Sequence, residues 1–254
     1  MAADRKEPRT LALALLASLL LWNLPFGGVL LYPFKLLATW MHELSHGIAM
    51  TACGAGFDHI LVYRDTSGLA YARATVGPFC SAVIAAAGYM GTPVWGAVLL
   101  VVTRDARSAR RALVVLAGLL VITALFVVAP THDNDKFGPY AIGAIGGVVL
   151  VCAIALPARL RLLGAHFVAA QACCNALLDI RVLMRPSQVV NGQVAGASDA
   201  HNMAMATFGT AAPWAVWTWA IIWLAWSLAV LFIALRISGS RARSSGAPGG
   251  LPRA

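Results

Sequence analysis

The sequence predicts an all-α polytopic membrane protein: a bundle of about six or seven transmembrane helices with one small β-hairpin. Three observations predict it. The 254 residues are 60% hydrophobic and only 11% charged, whereas a soluble globular domain carries about 25% charged residues. The apolar residues fall in long runs, each of roughly the length that crosses a bilayer core as a helix. One interval, 54–75, breaks the pattern with glycines and an alternation of apolar and polar residues, which is strand patterning.

Residues 1–10 are short and charged and read as a cytoplasmic N-terminus. A signal peptide begins in the same way. The apolar run that follows is too long for such a leader and no A-x-A cleavage site ends it, so it reads as a retained first span. That span covers 11–31, with a kink or break expected at Pro25 and Gly27-Gly28. Pro33 opens the second segment, 34–53. Then comes the hairpin. His59-Ile60-Leu61-Val62-Tyr63 alternates, Asp65-Thr66-Ser67-Gly68 is a turn signal, and 69–75 returns.

Residues 77–103 are apolar again, with Gly88-Tyr89-Met90-Gly91 in the middle. Residues 104–111 hold four arginines and one aspartate and read as a cytoplasmic loop. Spans at 112–129 and 138–156 flank an acidic turn containing Asp133 and Asp135. Arg159 and Arg161 mark another cytoplasmic turn. The apolar stretch 162–184 carries His166, Gln171, Asn175 and Asp179, and 185–202 reads as a polar loop. The last span, 214–235, has Trp214, Trp217, Trp219, Trp223 and Trp226 biased to its first half, as at a membrane interface. The basic, Gly/Ser/Pro-rich end, 237–254, reads as a disordered tail. Between the two termini, 11–236 forms one transmembrane domain. Counting spans from a cytoplasmic N-terminus places the arginine loop 104–111 outside, so one earlier segment must be re-entrant or split. The hairpin and 77–103 are the suspects.

The net charge of +9 is a topology signal, because cytoplasmic loops collect Lys and Arg. No basic patch interleaved with aromatics points to nucleic acid. Cys53, Cys80, Cys152, Cys173 and Cys174 lie in or beside apolar segments without a CxxC pair. They read as small buried hydrophobes.

The chemistry is concentrated in His42-Glu43-Leu44-Ser45-His46. On a helix, residues i and i+4 share a face, so both imidazoles can reach one Zn²⁺. Glu43 then lies beside a zinc-bound water and can act as its general base. Ionisable groups inside an apolar segment are costly and are functional candidates by default. Catalytic zinc takes three protein ligands and keeps a position open. Asp179 is the best third candidate, since a carboxylate at the end of an apolar segment is expensive unless paired or bound. Its bland alternative is a salt bridge to Arg181 or Arg185. Asn175 and Asp179 are i and i+4 and share a face. Asp199 and His201 compete as ligands but lie in the polar loop, where solvated side chains need no explanation. His166 reads as a satisfied or interfacial histidine, and His59 and His132 as surface residues.

Trp40-Met41-His42-Glu43-Leu44-Ser45-His46-Gly47, the hairpin after it, Gly88-Tyr89-Met90-Gly91 and Leu178-Asp179 together resemble the site-2 protease family of intramembrane zinc metalloproteases. The resemblance is in particular to the short bacterial-type members without a PDZ domain. The chain departs from the family's Leu-Asp-Gly motif, having Ile180 for glycine, and it lacks the nearby Asn-Pro element, for which only Asn175 is a counterpart. The resemblance implies Zn²⁺ held by His42, His46 and Asp179, water activated by Glu43, and Asn175 contacting substrate. It implies peptide-bond hydrolysis of membrane-protein substrates by a multi-pass protein of the bacterial plasma membrane, with the lipid bilayer as its surroundings. The hairpin can add to an extended substrate as a strand. Two other readings are a catalytically inactive relative that binds partners, and an ion transporter using the His/Glu cluster.

Overall fold

The computed structural model describes residues 6–131, 133–183, 188–195 and 197–244. Helix α1 (Lys6–Asn23) ends just before Pro25, and a short α2 (Gly27–Leu30) turns the chain into α3 (Tyr32–Ala52). The break falls where the proline and glycine pair place it. A Cβ at Gly27 would collide with the Leu21 carbonyl, so only glycine lets the chain turn this closely. Pro33 sits in the first turn of α3, where its missing N–H is not needed. The helix stops on a left-handed Gly54, φ +74°. Ala55 N–H donates to Met50 O at 2.9 Å and Gly54 N–H to Thr51 O at 3.1 Å, which satisfies the last carbonyls of α3.

The expected hairpin follows. β1 (Phe57–Val62) and β2 (Gly68–Ala72) are antiparallel, with Leu61 opposite Leu69 and Val62 opposite Gly68. Asp65 Oδ1 accepts the Ser67 N–H at 3.0 Å and closes the turn. Ile60, Leu61 and Val62 are buried. The far edge of β1 is occupied, because Ile60 N–H donates to Val127 O (3.0 Å) and Ala129 N–H to Ile60 O (2.9 Å).

Helix α4 (Pro78–Val102) runs unbroken through Pro93. This corrects the expectation that 77–103 is a split candidate. Before the arginine loop, the non-helical pieces are 24–26, Leu31 and 53–77, which holds the hairpin. Asp105 caps α5 (Ala106–Phe126), accepting the Arg107 and Ser108 N–H groups at 2.8 Å. The Ser108 and Arg107 N–H groups hold its carboxyl below the ordinary value. Then come α6 (Phe137–Ala155) and α7 (Ala158–Leu183).

The chain from 188 to 208 holds more structure than the polar loop expected of 185–202. β3 (Gln188–Val190) and β4 (Gln193–Ala195) form a second hairpin, and α8 (Asp199–Phe208) follows. Asn191 and Gly192 both take positive φ, the conformation of a tight hairpin turn. That turn docks on the first hairpin: Asn191 N–H donates to Ser67 Oγ and Gly192 N–H to Asp65 Oδ2, each at 3.2 Å. The last helix, α9 (Pro213–Ser244), continues well past 236, where disorder was expected, and 245–254 lie outside the described residues.

Five helices, α4, α5, α6, α7 and α9, are long and apolar enough to cross a membrane. With α1 and α3 they make seven long helices among the described residues, in line with the predicted bundle. The protein is an integral multi-pass membrane protein. Helices α6 and α9 bury little of their length and present Val148, Ile154, Ile221 and Phe232 outward, which suits a hydrocarbon solvent. Inside, Trp40, Met41, Ile60, Leu120 and Ile142 form one core. Tyr89, Ile180, Met203 and Trp223 belong to a second, which ties α4, α7, α8 and α9 together.

Candidate metal centre

Helix α3 carries the two histidines one turn apart, and α4 comes close enough to wedge against them. Glycine makes that approach possible. A Cβ at Gly88 would run into both the His42 and His46 imidazoles, and one at Gly91 into Ser45 Oγ. The close packing places a backbone acceptor at His46, whose Nδ1 lies 2.7 Å from Ile84 O. A proton on Nδ1 donated there leaves the Nε2 lone pair free, and a backbone acceptor of this kind is what orients a metal-binding imidazole. The Tyr89 ring meets the His42 ring edge-on at 4.7 Å and stacks on Trp223 at 5.1 Å, 2° from parallel. Elsewhere on α3, Trp40 Nε1 donates to Thr123 Oγ1 at 2.9 Å and Trp95 Nε1 to Ser45 Oγ at 3.2 Å. The histidine-bearing helix is therefore anchored from α4 and α5.

The third group comes from α8. Asp199 is its first residue, following Ser198, whose Oγ accepts the His201 N–H at 3.3 Å. A carboxylate in the first turn also sits at the favourable end of the helix dipole. Asp199 Oδ2 lies 3.0 Å from His42 Nε2 and 3.2 Å from His46 Nε2. Donors bonded at 2.0–2.1 Å to one tetrahedral ion stand about 3.3 Å apart. All three atoms lie within 4.8 Å of one another, a group that could hold a metal ion. Two imidazoles and one carboxylate are also an ordinary donor set for catalytic zinc.

The sequence pointed to Asp179 as third ligand; the carboxylate that the structure brings to the two histidines is Asp199. Asp179 lies near the end of α7 and is exposed. Among the described residues it enters neither the metal-type cluster nor an ion pair. The reason is tertiary: the chain leaves α7, forms the second hairpin and returns as α8, which puts Asp199 over the histidines. Asn175, the expected substrate contact, also lies on α7. It is buried, its Nδ2 donates to Gln171 O on its own helix at 2.9 Å, and it does not line the cavity. A signal for Asp199 was present in the sequence. Ser198 is an N-cap residue, an acid follows in the first turn, and an Ala/Met-rich stretch continues.

Glu43 projects from the same turn of α3 and is 7% exposed. Gly68 of β2 packs over it. A Cβ there would come 2.8 Å from Glu43 Cγ and 2.9 Å from Oε1. A cavity of about 720 Å³ opens onto His42, Glu43, His46, Asp199 and Asn202. Its apolar wall includes Met50, Ile84 and Met205, and Gly68, Ala70 and Ala72 of β2 form one side. Asn202, one turn beyond Asp199, also lines this space, a residue that sequence reasoning passed over.

The other histidines serve structure. His166 is fully buried with Nε2 3.2 Å from Thr103 O. His59 pairs with Asp58 and stacks on Tyr71 at the surface. His201 Nδ1 accepts from Ser198 Oγ at 2.8 Å within the α8 cap. His132 lies outside the described residues.

Gly88→Ala is expected to remove metal binding, since its methyl would displace both imidazoles at once. Gly118→Ala, in α5 with nothing near the added methyl, should retain it. Metal content of the two purified variants is the check, and equal content would exclude the Gly88 contact as a determinant of the site.

A family model described as Peptidase M50B-like matches residues 11–234. No curated protein and no solved structure matches the chain.

Proposed function

This chain belongs to the Peptidase M50B-like family, a site-2 protease family, and on that premise we propose that it is an intramembrane zinc metalloprotease that cleaves membrane-protein substrates. The observation that carries the reading is the convergence of His42, His46 and Asp199 on one point, with the buried Glu43 beside it in the same cavity. In this reading His42 and His46, through Nε2, and Asp199, through Oδ2, hold the ion. Bound there, zinc supplies Lewis acidity to the scissile carbonyl and acidifies water.

The chain's own residues do the rest. Glu43 accepts the proton of the attacking water and passes it to the leaving amine. The Ile84 carbonyl keeps His46 in the tautomer that leaves Nε2 free. Tyr89, held flat by Trp223, fixes the His42 ring. Asn202 offers a donor and an acceptor to the substrate backbone. β2 forms one side of the cavity and bears no further strand among the described residues. An extended substrate segment can lie along that edge, its side chains over Gly68, Ala70 and Ala72. The intact Glu43 favours this reading over an inactive relative.

The test is metal-dependent cleavage. The purified chain, reconstituted with a panel of single-span substrates, should contain one zinc per chain, lose it in His46→Ala, and cut at least one substrate. A chelator should stop cleavage and added zinc restore it. Zinc-independent ion flux across liposomes, with no substrate cut, would instead support a transporter. Asn202→Ala should keep its zinc and lower kcat/KM about tenfold, the worth of one lost hydrogen bond of about 1.4 kcal/mol. An unchanged kcat/KM would remove Asn202 from the substrate contacts.

A further inference from the structure

Cys53 and Cys80 read from sequence as small buried hydrophobes, yet neither is fully buried. Their side chains cross. Cys53 Sγ lies 4.0 Å from Cys80 O, and Cys80 Sγ lies 3.9 Å from Cys53 O. Each sulfur thus reaches the other residue's backbone, and the two thiols face one another across the gap between α3 and α4. Both backbones are held in place. Cys53 is the C-cap of α3, locked by the Ala55-to-Met50 and Gly54-to-Thr51 hydrogen bonds. Cys80 lies in the first turn of α4, just after Pro78. Each sulfur lies within 4.0 Å of the other residue's carbonyl oxygen, so the two side chains are already adjacent, as a bridge requires.

The position also matters. Met50, one turn before Cys53, lines the catalytic cavity, as do Pro78 and Ser81 on either side of Cys80. Between the two cysteines lies the whole first hairpin, β2 included. We propose that Cys53 and Cys80 are a disulfide-forming pair, a thiol modification site that staples the end of the HExxH helix to the start of α4 beside the cavity wall.

The chemistry is thiol–disulfide exchange with a small-molecule disulfide as oxidant. One cysteine thiolate attacks a sulfur of the oxidant and displaces one small thiolate, leaving a mixed disulfide. The second cysteine thiolate then attacks the protein sulfur and displaces the other small thiolate. The S–S bond forms at the cost of the oxidant's S–S bond, and the two cysteine protons end on the two released small thiols. The bridge closes a loop around the hairpin, which restricts the unfolded chain and raises stability.

The test uses the full chain in detergent micelles, incubated with oxidised glutathione, then denatured and blocked with a maleimide. The maleimide count should fall by two from the five of the reduced chain. Peptide mapping should recover a Cys53–Cys80 linked pair that dithiothreitol releases. Cys53→Ser and Cys80→Ser should each lose that pair. The thermal midpoint should rise on oxidation in the wild type and not in either variant. Recovery of Cys53 and Cys80 as separate maleimide or glutathione adducts would overturn the proposal. So would pairing of either with another cysteine or with a second chain. None of these outcomes depends on protease activity, so the inference can fail while the functional reading stands.

Discussion

Glu43→Gln should retain its zinc and lose cleavage by about a thousandfold or more, the scale on which a general base acts in a hydrolase. Glutamine keeps the shape of the side chain and fills the same buried space beneath Gly68. It cannot take a proton from water. The three metal-type donors, His42, His46 and Asp199, are unaffected, because Glu43 is not among them. The measurement pairs metal analysis of the purified variant with cleavage of a reconstituted substrate. Full metal with no cleavage is the expected pair of results. Full metal with wild-type cleavage would refute the assignment of Glu43 as base. Loss of metal together with activity would show that Glu43 acts by supporting the site.

Asp199→Ala should abolish zinc retention during purification, whereas Asp179→Ala should leave zinc stoichiometry unchanged. Removing even an outer partner of a metal ligand costs about 10–100-fold in affinity, and loss of one of three protein ligands costs more. The structural ground is the pair of contacts from Asp199 Oδ2 to the histidine Nε2 atoms, 3.0 and 3.2 Å, against the exposed position of Asp179 outside the cluster. Asp199→Asn separates ligation from folding, because an amide can keep the start of α8 intact while binding zinc far more weakly than a carboxylate. Size-exclusion profiles of all three variants in detergent check that the bundle is intact. Zinc lost from Asp179→Ala and kept by Asp199→Ala would reverse the assignment.

The bundle was legible because hydrocarbon-length apolar runs leave few alternatives. The first hairpin was legible because its alternation and its Asp-Thr-Ser-Gly turn are local signals. The HExxH pair was legible for the same reason: one turn of helix sets the distance between His42 and His46 whatever surrounds them. Polar composition concealed α8 and the second hairpin. The stretch 185–202 looks like a solvated loop until its Ser198 cap and Asn191-Gly192 turn are weighed one by one. The Leu178-Asp179 match to a motif carries no information about where the following chain returns.

The sequence by itself determined the solvent, the class of fold and the shared helical turn of His42, Glu43 and His46, since each follows from composition or from spacing within one element. Only the tertiary structure decided which carboxylate meets the histidines and which side chains line the cavity. Both depend on α8 folding back beside α3 and α4. That placement is set by burial of Met203 and Ala204 against Tyr89 and Trp223 and by the hydrogen bonds of the Asn191-Gly192 turn to Asp65 and Ser67. These contacts join residues far apart in the chain, so no periodicity or local motif could encode them.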